Sequence, residues 1–383
     1  MRSAARSRSA GFSLVELMVA MIIAVLVMLG ISELMANNEG QQRTTTSTND
    51  IDQAGSYAAY SLDKVIRSAG SAFYQANAFT LGCELNARSG GSTILPLSSG
   101  FSSDFPNVTL TNVHLMPLLI LPGQSVASDG SGGTDTSDVL VVMGGVDGNQ
   151  PVPTSLLQPP SAAALHLVSD VGYASNDLLL ISDVANGVNL SGCLLDQVSS
   201  VGSGGVVNLG GTYHAGDSIS TRTLSSMSAG GLVIDLGNES NGAPPVFEML
   251  GVGPDTTLDA YDLITQQTTP VINGVFEMHA LYGVDPTGSG TIQWVAPSGN
   301  YAVSSLDAGT TVAAQLIQTI KAVRIGLILR TQLPEKTAVT PGPIDLFTDL
   351  GSPLSYSRVL SASEQHYRYR TLDLTIPIQN TLQ

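Results

Sequence analysis

The feature that most constrains this chain is the apolar run Phe12–Ile31, which begins almost at the N-terminus. It holds a single charged side chain, that of Glu16. An α-helix of about 20 residues is about 30 Å long, which matches the hydrocarbon thickness of a bilayer. The sequence therefore predicts a transmembrane helix over Phe12–Ile31.

The charges on either side of this run predict its orientation. Arg2, Arg6 and Arg8 precede it, whereas Glu33 and Glu39 follow it. Positive residues stay on the cytoplasmic side of a membrane helix. We therefore expect a cytoplasmic N-terminus, with the remaining chain on the outer side of the membrane.

Glu16 is costly in such a helix, by roughly 2.5–3.5 kcal/mol near the membrane centre and by less near an end. A partner becomes available if the chain is cut after Gly11, because the cut creates a free amine on Phe12. That amine, on this chain or on a neighbour, could neutralise the Glu16 carboxylate in apolar surroundings.

The segment Gly11-Phe12-Ser13-Leu14-Val15-Glu16 resembles the signature of the type IV prepilins. The resemblance implies that a prepilin peptidase cleaves between Gly11 and Phe12 and methylates the Phe12 amine. It also implies that Glu16 guides assembly by pairing with the amine of an adjacent subunit.

Two ordinary interpretations compete with this one. A secretory signal peptide would be cut after the apolar run, but Leu34-Met35-Ala36 is a poor cleavage site. A plain single-pass anchor would explain the length of the run and the arginines but not the Gly-Phe-x-x-x-Glu pattern.

The composition is that of a secreted, turn-rich protein. Hydrophobic residues make up 43%, charged residues only 12%, and there are 40 glycines. The formal net charge is −16. Loss of the leader would also remove three arginines, so the mature chain would be more acidic still. From Ser89 to Ile320 the only basic residue is Arg222, so direct nucleic-acid binding by this region is not expected.

The N-terminal helix is predicted to continue to about Ala69, with Gly70 at its C-terminal end. An apolar stripe recurs at three- and four-residue steps through Ile51, Ala54, Ala58, Leu62, Val65 and Ala69. The stripe is interpreted as the inner face of the helix, packed on a globular head, with a partner-binding face as the alternative. Gly40, Gly55 and Thr44–Thr48 are weak helix formers and mark either a bend or a melted segment.

Beyond Gly70, short apolar runs alternate with clusters of Gly, Ser, Pro and Asp, which predicts a mostly antiparallel β-rich head. The predicted strands are Val108–Leu121 (with a break at Pro117 as the alternative), Asp138–Met143, Leu165–Ser169, Leu178–Ser182, Gly205–Leu209, Leu232–Leu236, Val246–Leu250, Val271–Tyr282, Thr291–Ala296, Lys321–Arg330 and Tyr367–Ile378. Thr310–Ile320 is predicted as a helix, and 129–135, 199–205 and 287–290 as loops. The predicted fold class is α+β and pilin-like, with a leader at 1–11, the long helix at 12–69 and the head at 70–383.

Cys83 and Cys193 are the only cysteines, and both follow the predicted membrane helix. Disulfides persist in such a compartment, and a bridge here would close a loop of about 110 residues. We expect this disulfide, with two unpaired buried thiols as the alternative.

No catalytic or cofactor motif is evident, so neither an enzyme nor a cofactor is expected. The five histidines (His114, His166, His214, His279 and His366) lack metal-ligand spacing, and His166 and His279 are interpreted as ordinary strand residues. Asp129, Asp135 and Asp138, with Asp147-Gly148-Asn149, could supply oxygen ligands to Ca²⁺, but turn chemistry is the preferred interpretation.

Several further segments are similar to the PilW-type minor pilins. They are Leu62–Gly70 followed by Cys83, Ser137–Val142, Asp177–Asp183 preceding Cys193, Val323–Arg330, Tyr367–Thr371 and Ile378–Asn380. Gln379 stands where the family often has Arg, and 199–270 has no evident counterpart. The resemblance implies a minor pilin that primes the fibre or lies near its tip and supports adhesion and twitching motility. The implied partners are the peptidase, other minor pilins, the major pilin and the inner-membrane assembly platform.

Three alternative functions remain open at this point. A type II secretion pseudopilin shares the leader. An anchored periplasmic adhesin or binding protein would not polymerise. A membrane-tethered hydrolase would need an acid–base cluster formed only in the folded head.

Overall fold

The computed structural model describes residues 13–76, 80–97, 101, 105–110, 112–125, 137–146, 152–183, 192–216, 223–238 and 240–381. For residues 36–41, 43 and 44 only the backbone is described. The chain divides into two compact units, Met1–Asp50 and Ile51–Gln383.

Helix α1, Leu14–Arg67, contributes to both units. Gly40 and Thr44–Thr48 lie within it and have helical backbone, so a melted segment is absent at these described positions. The helix ends at Arg67, and Gly70 then turns the chain with a φ of 78°. The backbone N–H of Gly70 donates to the carbonyl of Met143 at 2.8 Å, which fixes the end of the helix to the head.

The described part of the second unit is built mainly from strands. They are β1 Leu85–Ser89, β2 Ser92–Leu95, β3 Leu118–Leu121, β4 Val139–Gly144, β5 Thr154–Ser155, β6 Ala164–His166, β7 Asp177–Ser182, β8 Cys193–Val201, β9 Val206–Leu209, β10 Leu232–Asn238, β11 Val246–Val252, β12 Thr257–Asp262, β13 Thr268–Asn273, β14 Val275–Val284, β15 Gln293–Val295, β16 Ile320–Arg330, β17 Ile344–Leu346, β18 Tyr356–Arg358 and β19 Tyr369–Pro377. Two short helices, α2 Val303–Leu306 and α3 Thr311–Thr319, precede β16.

These strands form three main sheets and one small ribbon. The first sheet has the order β2-β1-β8-β7-β10-β5, with β9 joining β8 to β6. The second has the order β13-β12-β11-β4-β3, the third β15-β14-β16-β19, and β17 pairs with β18. Among the described pairs only β1 and β8 run parallel. The predicted α+β class, with a long N-terminal helix and a mostly antiparallel head, is confirmed.

The main core lies between the end of α1 and the sheets. Ile51, Ala58, Leu62, Ile66 and Ala69 are buried in it, so the apolar stripe is an inner face rather than a partner-binding face. Val65 is only partly buried, and Ile66 takes its place in the core. The helix therefore shields the sheets with one side and presents the other to solvent.

Gly55 is the point of closest approach between α1 and the third sheet. A Cβ at this position would lie 2.7 Å from Leu329 Cδ1 on β16 and 3.9 Å from Leu372 Cδ2 on β19. Gly55 is unfavourable for helix propensity, but it allows the backbone of α1 to lie directly on the sheet.

Three of the predicted strands differ from the observed ones by more than two residues, and one of them, Leu165–Ser169, is only the short strand β6, Ala164–His166. In the described part of Val108–Leu121 the strand is β3 alone. It begins directly after Pro117, the residue at which a break was the alternative, because proline cannot donate to a ladder, and before it His114 forms an isolated bridge to Glu84. The predicted strand Val271–Tyr282 is two strands, β13 and β14. Gly274 separates them with a φ of 92°, and each strand belongs to a different sheet.

The loop predicted over 199–205 is also too long. β8 continues to Val201 and pairs with β9, leaving a tight turn before Val206. The two serines 199 and 200 look like loop residues because they lie on the exposed part of this hairpin. The helix predicted over Thr310–Ile320 is confirmed as α3, where the Thr310 hydroxyl accepts from the Ala313 N–H at 3.1 Å.

The close approach at Gly55 yields a test. We expect Gly55→Leu to destabilise the head by about 1–3 kcal/mol, because the added side chain must displace Leu329 from a filled core. The measurement is thermal unfolding of the full chain in detergent, followed by the fluorescence of Trp294, the only tryptophan. Ser56→Leu, at the neighbouring exposed position, is the matched control. Equal melting of the two variants would contradict the packing described here.

Candidate assembly site

The candidate assembly site lies at the start of α1. Ser13 precedes the helix, and its hydroxyl accepts from the Glu16 N–H at 3.2 Å. Glu16 Oε2 in turn accepts from the Ser13 N–H at 3.2 Å. This reciprocal pair is a capping box, which satisfies two backbone donors that a helix start leaves open. Gly11 and Phe12, the predicted cleavage and methylation residues, lie outside the described residues.

The helix beyond Glu16 is apolar on every side. Residues Leu14–Met35 have a mean hydropathy of 2.8, and they are the one described segment long and apolar enough to cross a membrane. Their large side chains are exposed in the isolated chain, for example Leu14, Leu26 and Met28. Such an all-round apolar surface requires lipid or other helices as its surroundings.

The predicted disulfide is present. Cys83 and Cys193 are bonded, with their Cα atoms 5.7 Å apart. Cys193 is the first residue of β8 and pairs with Leu85, where β1 runs parallel to β8. The bridge thus joins the segment that follows α1 to the middle of the first sheet, in a fully buried position.

A buried ionic cluster holds the C-terminal flap, residues 331–368, against the outer face of the third sheet. Glu277 on β14 is 1% exposed and binds Arg358 of β18, which is 3% exposed. Arg358 also contacts Glu364 at 2.8 Å, and the Tyr356 hydroxyl donates to Glu277 at 2.9 Å. Because each charge has a partner, the cluster orients the flap rather than leaving a reactive group free. Sequence reasoning missed it, since its members are distant along the chain and fit no motif.

The five histidines lie apart from one another, and the side chains of four of them contact a partner. His114 contacts Asp307 at 2.8 Å, His214 contacts Asp196 at 2.9 Å, and His366 contacts the Glu335 carbonyl at 2.9 Å. His166 and His279 lie in β6 and β14, and His279 stacks on Tyr356 at 3.7 Å between ring centres. Within the described ranges no three His, Cys, Asp or Glu residues converge as metal ligands.

Of the predicted calcium candidates, only Asp138 lies within the described residues. Its carboxylate accepts from the backbone N–H groups of Gly123 and Ala280, each at 2.9 Å. Burial is the main cause that raises the pKa of Asp138 above its ordinary value. Asp138 therefore joins a loop to β14, while Asp129, Asp135, Asp147 and Asn149 lie outside the described residues.

A groove of about 390 Å³ runs along α1 over the second sheet. Its helix side is formed by Tyr57, Tyr60, Lys64 and their neighbours on α1. Its floor is formed by residues of β11, β12 and β13, including Glu248 and Asp262. Leu62 and Val65 of the predicted stripe also line it, but the stripe alone does not predict the groove, because its floor comes from strands that are distant in the sequence.

Asp235 on β10 yields a test of stability against pH. Burial, reinforced by the nearby Asp177 carboxylate, raises the pKa of Asp235 to about 7. A carboxyl group whose pKa is higher in the folded than in the unfolded protein stabilises the fold at pH values below its ordinary pKa. That stabilisation is lost as the pH rises towards and beyond 7. We expect the free energy of unfolding of Asp235→Asn to exceed that of the wild type at pH 8 by an amount on the order of 2 kcal/mol, so that the variant unfolds at a higher temperature. At pH 4 the two proteins should be equally stable.

The measurement is the unfolding midpoint of the full chain between pH 4 and pH 8. The control is Asp345→Asn, which changes the same charge at an exposed position. If the wild type were more stable than Asp235→Asn, and if this difference increased with pH, the raised pKa of Asp235 would be contradicted.

Comparison with known families returns two matches. The prokaryotic N-terminal methylation motif matches residues 6–32, which include the capping box and most of the apolar helix. The family described as Type IV Pilus-assembly protein W matches residues 257–380, which run from β12 through β19. That match begins inside the segment 199–270, so the expectation that this segment has no counterpart is wrong for its last part.

Neither a curated protein nor a solved structure matches the chain. Both family matches describe pilus assembly proteins rather than enzymes. The methylation motif also implies processing by a prepilin peptidase and an association with pilus assembly. An apolar N-terminal helix that matches the methylation motif, joined to a β-rich head with a region similar to PilW, supports a type IV pilus assembly component, a minor pilin of the PilW type.

Proposed function

We propose that the chain is made as a prepilin, cut between Gly11 and Phe12, methylated on the Phe12 amine, and then built into a type IV pilus. The observation that carries this proposal is the Glu16 carboxylate at the start of α1, directly before an uncharged apolar run, Leu17–Ile31. A charge in that position is unfavourable unless assembly supplies a partner.

Before assembly the helix is held in the inner membrane. The arginines of the leader keep the N-terminus in the cytoplasm, and the head, which carries the Cys83–Cys193 disulfide, is exported to the periplasm. During assembly the helix leaves lipid for a bundle of like helices, exchanging lipid contacts for protein contacts.

Glu16 has two separable roles in this proposal. As a hydrogen-bond acceptor it caps α1 through the Ser13 N–H. As a charge it pairs with the Phe12 amine of the adjacent subunit and fixes the register between the two helices. The cap needs only an acceptor oxygen, whereas the pairing needs a negative charge.

The partners in this proposal are the peptidase, the other minor pilins, the major pilin and the inner-membrane assembly platform. The chain primes the fibre or lies near its tip, and adhesion and twitching motility follow from the fibre. The PilW match over 257–380 supports this assignment within the pilus machinery.

Substitutions at Glu16 separate the two roles. Gln retains the acceptor oxygen of the capping box and removes the charge, whereas Ala removes both. We expect Glu16→Gln and Glu16→Ala each to reduce incorporation into sheared fibres by at least about tenfold, since a buried charge pair left with one member costs more than 1.4 kcal/mol. Incorporation is measured by immunoblot of sheared fibres against the membrane pool.

Glu33→Gln is the matched control, because it neutralises the other acid of the apolar segment. It should leave incorporation unchanged, and all variants should insert into the membrane and be cleaved as the wild type. Wild-type incorporation of Glu16→Gln would rule out the charge pair and leave only the helix cap.

A further inference from the structure

The groove beside α1 is lined by side chains whose charges do not balance. Its helix side is contributed by Tyr57, Tyr60, Ser61, Lys64 and Val65, and its floor by face residues of β11, β12 and β13. On this side α1 covers only part of the second sheet. Ala260 and Val271 on the floor are consequently only partly buried, although both pack against the core.

Two carboxylates face each other on the floor of the groove. Glu248 of β11 and Asp262 of β12 are direct partners in the antiparallel register. Side chains opposed in this way lie about 4.5–5.5 Å apart at Cβ, and like charges there destabilise the pair. Burial first, and the Asp262 charge second, raise the pKa of Glu248, while Lys64 acts in the opposite direction.

Among the described residues Glu248 has no hydrogen-bond or ion-pair partner, although it is half-buried. One oxygen of Asp262 accepts from the backbone of Ile264 and Thr265, at 2.7 and 3.0 Å. Lys64 lines the same groove but makes no described ion pair with either acid. Two acids and one base leave a net negative charge that the chain itself does not neutralise.

Two tyrosines form the outer rim. Tyr57 and Tyr60 are 51% and 65% exposed, and they lie three residues apart on the same face of α1. Exposed tyrosine is enriched at protein interfaces, and its ring face attracts a guanidinium or ammonium group. The tyrosine rim therefore favours binding of a cation, and a cation is also what the Glu248 and Asp262 carboxylates need to balance their charge.

We propose that this groove, here called the α1–β12 groove, binds an arginine side chain presented by a neighbouring pilus subunit. The guanidinium lies between the tyrosine rim and the Glu248–Asp262 pair and relieves the repulsion between these two acids. Arginine fits better than lysine, because its planar fork can bind two carboxylates and stack on a ring at once. The proposal rests on the proposed function, which supplies the neighbouring subunit.

The test uses the full chain in detergent micelles with 3-fluorotyrosine placed at Tyr60. The probe is the tripeptide acetyl-Gly-Arg-Gly-amide, titrated to about 10 mM while the ¹⁹F shift is followed. The matched probe replaces Arg by citrulline, which keeps the shape and removes the charge. We expect a saturable shift with Arg and roughly tenfold weaker binding with citrulline, because hydrogen bonds to charged groups are the stronger ones.

The paired variants are Glu248→Gln and Asp255→Asn. Asp255 is an exposed acid in the turn of the same β11–β12 hairpin, away from the groove, so its loss should leave the titration unchanged. Glu248→Gln should abolish the charge preference without lowering the unfolding temperature, since it removes a repulsive pair.

The outcomes are decisive in either direction. Equal binding of the Arg and citrulline peptides by the wild type, a retained preference for Arg in Glu248→Gln, or no saturable shift with any peptide would each overturn the proposal. None of these results bears on cleavage at Gly11 or on the Glu16 variants, so failure here is distinguishable from failure of the proposed function. If the groove binds an arginine of a neighbouring subunit, Glu248→Lys should reduce fibre incorporation and leave processing intact.

Discussion

The whole architecture depends on one helix that must satisfy two different surroundings. From Leu17 to Ile31 α1 is apolar on all sides, whereas from Ile51 onward the helix is apolar on one side only. Lipid or a helix bundle suits the first part and a folded β-rich head suits the second. The two parts of α1 fall in different compact units of the chain, Met1–Asp50 and Ile51–Gln383.

The head has its own means of holding that helix in place. Gly55 lets the backbone of α1 approach β16, and the Gly70 N–H binds the carbonyl of Met143 beyond the end of the helix. The Asn380 side chain donates to the Ala69 carbonyl at 3.0 Å, so the C-terminal end of the chain also contacts the end of α1. On the opposite face of the third sheet, the Glu277–Arg358–Glu364 cluster fixes the flap. The PilW match includes this sheet and its flap.

Much of this could be predicted from sequence, for identifiable reasons. The N-terminal apolar run and the short apolar strands such as β7 and β16 stand out between turn residues, and two cysteines allow only one pairing within the chain. Other features arise only from the tertiary fold. The sequence does not say that Gly55 lies against Leu329, that Gly274 divides a strand between two sheets, or that Glu248 faces Asp262. Each depends on which strands become neighbours, and local patterns do not encode that choice.

The central claim is that Glu16 meets a new terminal amine after the leader has been removed. The most direct measurement is intact and N-terminal peptide mass spectrometry of the protein purified from cells with and without prepilin peptidase. The account predicts a mature chain that begins with N-methylated Phe12 when the peptidase is present, and the uncut chain when it is absent. A mature chain that still begins at Met1, or one cut beyond Ile31, would contradict it, because no amine would then be available beside the Glu16 carboxylate.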